Sequence, residues 1–139
     1  MGSGLLRARL LAFALGACAS AAPAPDWVSG APAELIGVTW MRVDDEEAAP
    51  HFATLRFEAE RIAGHAGCNR YFADVEHAGT QLRLGAIGAT RMMCPPPSMA
   101  TERSLFAALA RVRGYRLANE ELTLLDANGA AAARFMRTD

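Results

Sequence analysis

Ala53-Thr54-Leu55-Arg56-Phe57-Glu58 puts its apolar side chains on one face and its polar ones on the other, the period-two pattern of a half-buried β-strand. The same alternation returns in Tyr71-Phe72-Ala73-Asp74-Val75-Glu76, Leu82-Arg83-Leu84, Leu122-Thr123-Leu124 and Ala133-Arg134-Phe135. Ala78-Gly79, Asn119-Glu120 and Asn128-Gly129 punctuate these runs, and Asn-Gly is the strongest two-residue hairpin signal among them. Strands joined by such short turns predict an antiparallel meander. One segment breaks the rhythm. Between Met99 and Val112, Leu105, Phe106, Leu109 and Val112 recur at i, i+1, i+4 and i+7, with Arg103, Ser104 and Arg111 turned outward, which predicts an amphipathic helix. Pro95-Pro96-Pro97 predicts an extended approach to that helix, with Ser98 as its N-cap. The expected fold is therefore α+β: a mostly antiparallel sheet of about seven or eight strands, curved or half-barrel-like, with one helix near 99–112 covering an open sheet face.

Upstream of the strands the chain changes character. Arg7 and Arg9 precede the apolar run Leu10-Leu11-Ala12-Phe13-Ala14-Leu15, and small residues then lead into Cys18, the charged, apolar and small-residue order of a secretory signal. The apolar run is far shorter than the roughly 20 residues of a membrane span. Leu15-Gly16-Ala17-Cys18 resembles the bacterial lipobox, in which the cysteine thiol receives diacylglycerol and a peptidase cuts before it. That resemblance implies a signal peptide over 1–17 and a mature chain anchored to the membrane through lipid on Cys18. Ala19-Ser20, with no Asp after the cysteine, resembles lipoproteins sorted to the outer membrane. Pro23, Pro25 and Pro32 among Ala, Ser and Gly predict a flexible tether over 18–33, ahead of a domain at 34–139.

Composition excludes several functions. The 139 residues leave room for one core, and 52% hydrophobic with 21% charged residues is the composition of a chain that folds. Its 14 basic and 15 acidic residues are spread along the chain, so nucleic acid is not an expected partner. Loss of Arg7 and Arg9 on cleavage would leave 12 basic against 15 acidic residues, a formal charge of −3. Every basic residue is Arg, which rules out Schiff-base chemistry, a Gly-Lys-Ser/Thr phosphate loop and a Ser-x-x-Lys nucleophile.

Three further motifs stand in order along the domain: Leu35-Ile36-Gly37-Val38-Thr39-Trp40, Gly64-His65-Ala66-Gly67-Cys68-Asn69-Arg70-Tyr71 and Thr90-Arg91-Met92-Met93-Cys94. Together they resemble the META domain family, whose HslJ-like members are heat-inducible bacterial lipoproteins and whose pattern is L-x-G-x-x-W, G-C-N-[RK]-[FY], then T-[RK]-M-x-C. Ala73 departs from it where a Gly is common, and the triple proline lengthens the approach to the helix. The resemblance covers about residues 34–139 and implies an α+β, mostly antiparallel fold in a cell-envelope setting, with no established catalytic activity.

With Cys18 lipidated, Cys68 and Cys94 are the two remaining thiols in an oxidising compartment, where a pair usually forms a disulfide; two buried free thiols are the alternative. A nucleophilic Cys68 with His65 as base meets the objection that i and i+3 on a strand face opposite ways. His51, His65 and His77 lack zinc-site spacing, so neither a metal nor a cofactor is expected. Asp44-Asp45-Glu46-Glu47 reads as a solvated loop, and Glu58 and Glu60 as a carboxylate pair on one strand face. Trp40, Gly67, Asn69 and Thr90 read as structural motif residues, Asn69 supporting a bend after Gly67 and Trp40 lying in the core with an acceptor for its indole N–H. Arg70 and Arg91 remain as the candidate partner surface. The expected function is a non-catalytic, lipid-anchored envelope module for stress tolerance or envelope maintenance that binds an unknown protein or ligand; the alternative is an envelope enzyme using Cys68 or a carboxylate pair.

Overall fold

The structure is a computed structural model that describes residues 16, 18, 20–46 and 52–138. Its strands are β1 (Val28–Ser29), β2 (Thr39–Arg42), β3 (Thr54–Phe57), β4 (Arg61–His65), β5 (Arg70–Ala78), β6 (Gln81–Leu84), β7 (Gly88–Ala89), β8 (Gly114–Ala118), β9 (Glu121–Leu125) and β10 (Ala131–Arg137). One α-helix, α1, spans Pro96–Arg111, and a 3-10 turn occupies Ala33–Leu35. The alternating runs fall where parity places them: Ala53, Leu55 and Phe57 are at most 1% exposed, and Tyr71, Ala73 and Val75 at most 2%.

The sheet closes, which corrects the expectation of an open half-barrel. Strand order β5-β4-β3-β2-β10-β9-β8-β6 returns to its start because β5 also pairs β6, giving an eight-stranded antiparallel barrel. β5 makes closure feasible through its length: nine residues pair β4 through Arg70–Asp74 and β6 through Val75–Ala78. The seam between β6 and β8 is short, with Gln81 opposite Gly114 and two flanking backbone bonds, Tyr115 N–H to Thr80 O (3.0 Å) and Leu82 N–H to Arg113 O (3.0 Å). A register shift between Ala131 and Ala133 in β10 turns Ala132 and Ala133 both inward.

An eight-stranded barrel has an interior just wide enough for side chains to fill it. Trp40, Leu55, Phe57, Ile62, Tyr71, Val75, Leu82, Leu122, Leu124 and Phe135 do so. The 3-10 turn sets Leu35, fully buried, against one end. The helix closes the other end rather than covering an open face, burying Leu105, Ala108 and Leu109 on its inner side. Phe106 is only partly buried and meets the Tyr71 ring edge-on at 5.7 Å. The indole nitrogen of Trp40 has no protein partner among the described residues, contrary to the expected acceptor.

Two boundaries differ from those expected. The helix starts inside the proline run: Pro95 is its N-cap residue, and Pro96 and Pro97 occupy the first helical positions, where a missing N–H costs nothing and φ is already near the helical value. Ser98 is a buried helical residue instead of the cap. The stretch expected to be tether is part of the barrel from Trp27 onward. Trp27 lies under the Arg83 guanidinium (3.7 Å), β1 pairs β5, Gly30 N–H donates to Val75 O (2.8 Å) and Ala31 N–H to Ala59 O (3.0 Å). Residues 20–26 are exposed and carry no regular structure.

Candidate functional site

Residues of the second and third motifs meet in a junction beneath the helix. Gly67 turns with φ +99°, and a Cβ there would lie 2.7 Å from the Thr101 methyl on α1, so the turn and the helix approach closely only because residue 67 is glycine. Cys68 and Cys94 form a disulfide with α-carbons 5.9 Å apart, tying this turn to the segment leading into α1. The bridge removes Cys68 as a nucleophile. Asn69, 3% exposed, then connects three segments. Its side-chain oxygen accepts Met92 N–H (2.7 Å) and the Thr90 hydroxyl (3.0 Å), while its backbone N–H and Nδ2 donate to the two carboxylate oxygens of Glu102 (3.0 and 3.2 Å).

Glu102 is the member of this junction that the sequence reading missed. It is a buried acid on the helix face that also carries Ser98, Leu105 and Leu109. The available signal was its position, i−3 from Leu105 and i−7 from Leu109, on the apolar stripe.

Other acids and histidines lie apart. Asp44 and Asp45 do not form a merely solvated loop: the buried Arg42 guanidinium bonds Asp44 (2.8 Å) and the Ser104 hydroxyl (2.9 Å), with Asp45 at 3.8 Å. Glu47 and His51 lie outside the described residues. Glu58 and Glu60 do not share a strand, because β3 ends at Phe57 and β4 begins at Arg61. Glu58 pairs with Arg61 (2.7 Å). His77 meets Gly30 O through Nδ1 (2.9 Å). Glu34 accepts a short hydrogen bond from the Tyr115 hydroxyl, which holds its carboxyl below the usual range; burial, helped by that bond, pushes the Tyr115 phenol up. Burial likewise raises the Tyr71 phenol, whose hydroxyl donates to Thr54 O (2.8 Å). Among the described residues no group of three His, Cys, Asp or Glu side chains could hold a metal ion.

The outer face of β3, β4 and β5 carries a different arrangement. Register sets Arg56 opposite Ala63 and Ala63 opposite Phe72; His65 faces Arg70, and Arg61 faces Asp74. His65 N–H donates to the Thr54 hydroxyl (3.0 Å), completing the neighbouring row. Ala63 is thus a short side chain ringed by long ones, and a depression of about 450 Å³ opens over it, bounded also by Thr39 on β2. The Arg56 guanidinium donates to the Thr39 hydroxyl (3.2 Å) and has no carboxylate partner among the described residues; the Arg70 side chain has no partner among them. His65 Nδ1 accepts Gly67 N–H (3.2 Å), a bond satisfied by the tautomer with its proton on Nε2. Phe72, 51% exposed, forms the far wall: its ring lies against Gly88, where a Cβ would come within 2.5 Å of it, and Arg61 stands 5.8 Å from the ring centroid. Arg91 is exposed but lines a separate depression with Met92, Met93 and Phe106, so the two arginines expected as one partner surface are divided between two grooves.

A small closed barrel, filled by its own side chains, plugged by one helix and stapled by a disulfide, defines the class of protein. Residues 33–139 match the META domain family model, and the chain belongs to that family. Among solved structures it is similar to an NMR structure of a protein from Burkholderia xenovorans, with TM-score 0.59 and 25% identity over 86% of this chain and 94% of that one. A second NMR structure shares the fold at TM-score 0.55 and 20% identity, covering 76% of this chain and 93% of its own. No curated protein matches the chain.

Proposed function

We propose that the protein is a non-catalytic, lipid-anchored binding module of the bacterial cell envelope, held at the outer membrane facing the periplasm and serving stress tolerance or envelope maintenance. The observation that carries this reading is the division of labour in the barrel: among the described residues its inward side chains fill the core, which leaves the outside of the barrel to a ligand, and there the Arg56–Ala63–Phe72 depression lies. Within the barrel, several groups that acid, base or thiol chemistry could use are already engaged. Cys68 and Cys94 are bridged, Glu102 accepts both Asn69 donors, and Tyr71 and Tyr115 donate to Thr54 O and Glu34. Cys18 is exposed and separated from the barrel by the exposed stretch 20–26, which is compatible with acylation and a short tether.

The test is fractionation of cells producing the full precursor or its Cys18→Ser form, with mass spectrometry of the mature N-terminus. The expected result is a diacylglyceryl-modified Cys18 in the membrane fraction and loss of membrane association in Cys18→Ser. A free Cys18 thiol in membrane-bound mature protein would refute the anchor. In-cell photocrosslinking from position 72 addresses the binding role and should capture a component at that face; capture from a control position on β9 but not from 72 would count against it.

A further inference from the structure

We propose that the depression over Ala63 binds a phosphate monoester carried on a sugar or glycerol group, the chemistry of a phosphorylated headgroup. This rests on the reading above that ligands meet the outer face. The mature chain is net acidic, yet here Arg56 and Arg70 flank one small residue from opposite strands, without a carboxylate partner for either among the described residues. Adjacent strands lie roughly 4.8 Å apart and residues about 3.4 Å along each strand, so Arg56 beside Ala63 and Arg70 one row along, beside His65, have α-carbons about 12 Å apart on a diagonal that two arginine side chains can close. Two guanidinium groups match the charge of a phosphate dianion, and their planar forks suit its oxygens. The His65 Nε2–H adds a neutral donor on the same rim. A monocarboxylate would need only one of these cations.

The third row keeps its own balance and sets the orientation. Arg61 lies between Glu58 and Asp74, so the unbalanced positive charge sits toward Arg56 and Arg70, while Phe72 offers an apolar wall beside it. Phosphate oxygens therefore face Arg56 and Arg70, and the carbon skeleton of the carrier lies along the Phe72 ring. An acidic peptide would meet the same cations, but it would not need the concavity at Ala63.

The experiment uses the mature chain carrying Cys18→Ser, so that no acyl group contributes to membrane binding. Amide NMR is recorded against inorganic phosphate, glycerol 3-phosphate and a poly-glutamate peptide, and sedimentation is measured with phosphatidylcholine vesicles with and without phosphatidic acid. Expected are shifts confined to Arg56, Ala63, His65, Arg70 and Phe72 with both phosphate probes, and about tenfold weaker binding in Arg56→Gln and in Arg70→Gln. Ala63→Leu, which fills the depression from an outward position while keeping both arginines, should also abolish binding with its melting temperature unchanged. Sedimentation with phosphatidic acid vesicles assigns the ester to a lipid headgroup; response to glycerol 3-phosphate without sedimentation assigns it to a soluble ester, and either result supports the proposal. Silence of both phosphate probes, or full affinity in Ala63→Leu, overturns it. If only poly-glutamate binds at these residues, the ligand class is wrong and the outer-face reading stands. If position 72 also captures nothing in cells, both fail.

Discussion

Replacing Glu102 with Ala removes the acceptor of two hydrogen bonds, from Asn69 N–H at 3.0 Å and Asn69 Nδ2 at 3.2 Å. Both donors belong to a residue that is 3% exposed, so water cannot readily take the place of the carboxylate. Hydrogen bonds to a charged group are worth about 1.5–3 kcal/mol each, and the better helix propensity of Ala returns only a few tenths. The net loss should be about 3–4 kcal/mol. With a urea m-value of about 1.5–2 kcal/mol/M, that is a midpoint shift of about 2 M. The assay is equilibrium urea unfolding with the disulfide intact, followed by tryptophan fluorescence, since Trp40 is buried in the barrel. Glu102→Gln keeps one acceptor but opposes an amide donor to Asn69, so it should fall about midway. In a double-mutant cycle, Asn69→Ala and Glu102→Ala should be non-additive by about 1.5–3 kcal/mol. A Glu102→Ala loss below about 1 kcal/mol, or additivity in the cycle, would refute the view that this pair holds the helix to the motif turn.

Reducing the Cys68–Cys94 bridge, which closes a loop between residues 26 apart in sequence, should cost about 3.5 kcal/mol in the chain-entropy model. Thiol titration of the denatured, unreduced protein checks the bridge itself, and two reactive thiols would count against it. Leu105→Ala, at a fully buried position, should destabilise by about 3 kcal/mol, and Phe106→Ala, half-buried against Tyr71, by less; calorimetry showing the reverse order would mean that the helix is rotated from its described face. Glu34 has its folded-state pKa lowered, first by the Tyr115 hydrogen bond, so its contribution is present above the ordinary value of 4.5 and lost as pH falls through the lower folded value. Tyr115→Phe should therefore flatten the acid side of the stability curve below pH 4.5, and an unchanged acid limb would show that the bond does not act on folding.

Local parity carried much of the fold. Alternation in 53–57 and 71–75 assigned the inward side chains correctly because each inward residue there is buried against the same core. Closure was not legible, since it depends on Gln81 meeting Gly114, two residues distant in sequence whose pairing leaves no local pattern. β8 was equally silent: burial at Gly114 and Tyr115 gives way to three exposed residues, Arg116 to Ala118, so hydropathy does not alternate with the strand. In β1 both side chains are exposed, and only backbone hydrogen bonds hold it. The motif residues Gly67, Asn69 and Thr90 read as structural and take structural positions, but Glu102, the partner of Asn69, was hidden by the habit of turning acids outward. The groove was half legible. Arg70 stood out beside its motif, whereas Arg56 lies 14 residues earlier in an ordinary strand, and register alone brings the two around Ala63.

The junction and the groove are coupled by one residue step. In a filled barrel every second side chain of each strand belongs to the core, so a binding surface is assembled from outward positions on neighbouring strands, at spacings that no linear motif records. Arg70 is the first outward residue after Asn69. Its N–H donates to the Thr90 hydroxyl (3.2 Å) and its carbonyl accepts Thr90 N–H (3.0 Å), while that same hydroxyl donates to Asn69 Oδ1 (3.0 Å). The backbone that presents the Arg70 guanidinium is therefore fixed from below by Asn69 and, through it, by Glu102 on the helix. His65 is held from the same turn, its Nδ1 accepting the N–H of Gly67. Two of the groove's donors thus inherit their positions from the motif junction, which gives the G-C-N-R and T-R-M-x-C sequences a role beyond stability: through the buried Cys68 and Asn69 they aim one rim of an outward-facing basic site, a rim to which the motif's own Arg70 belongs.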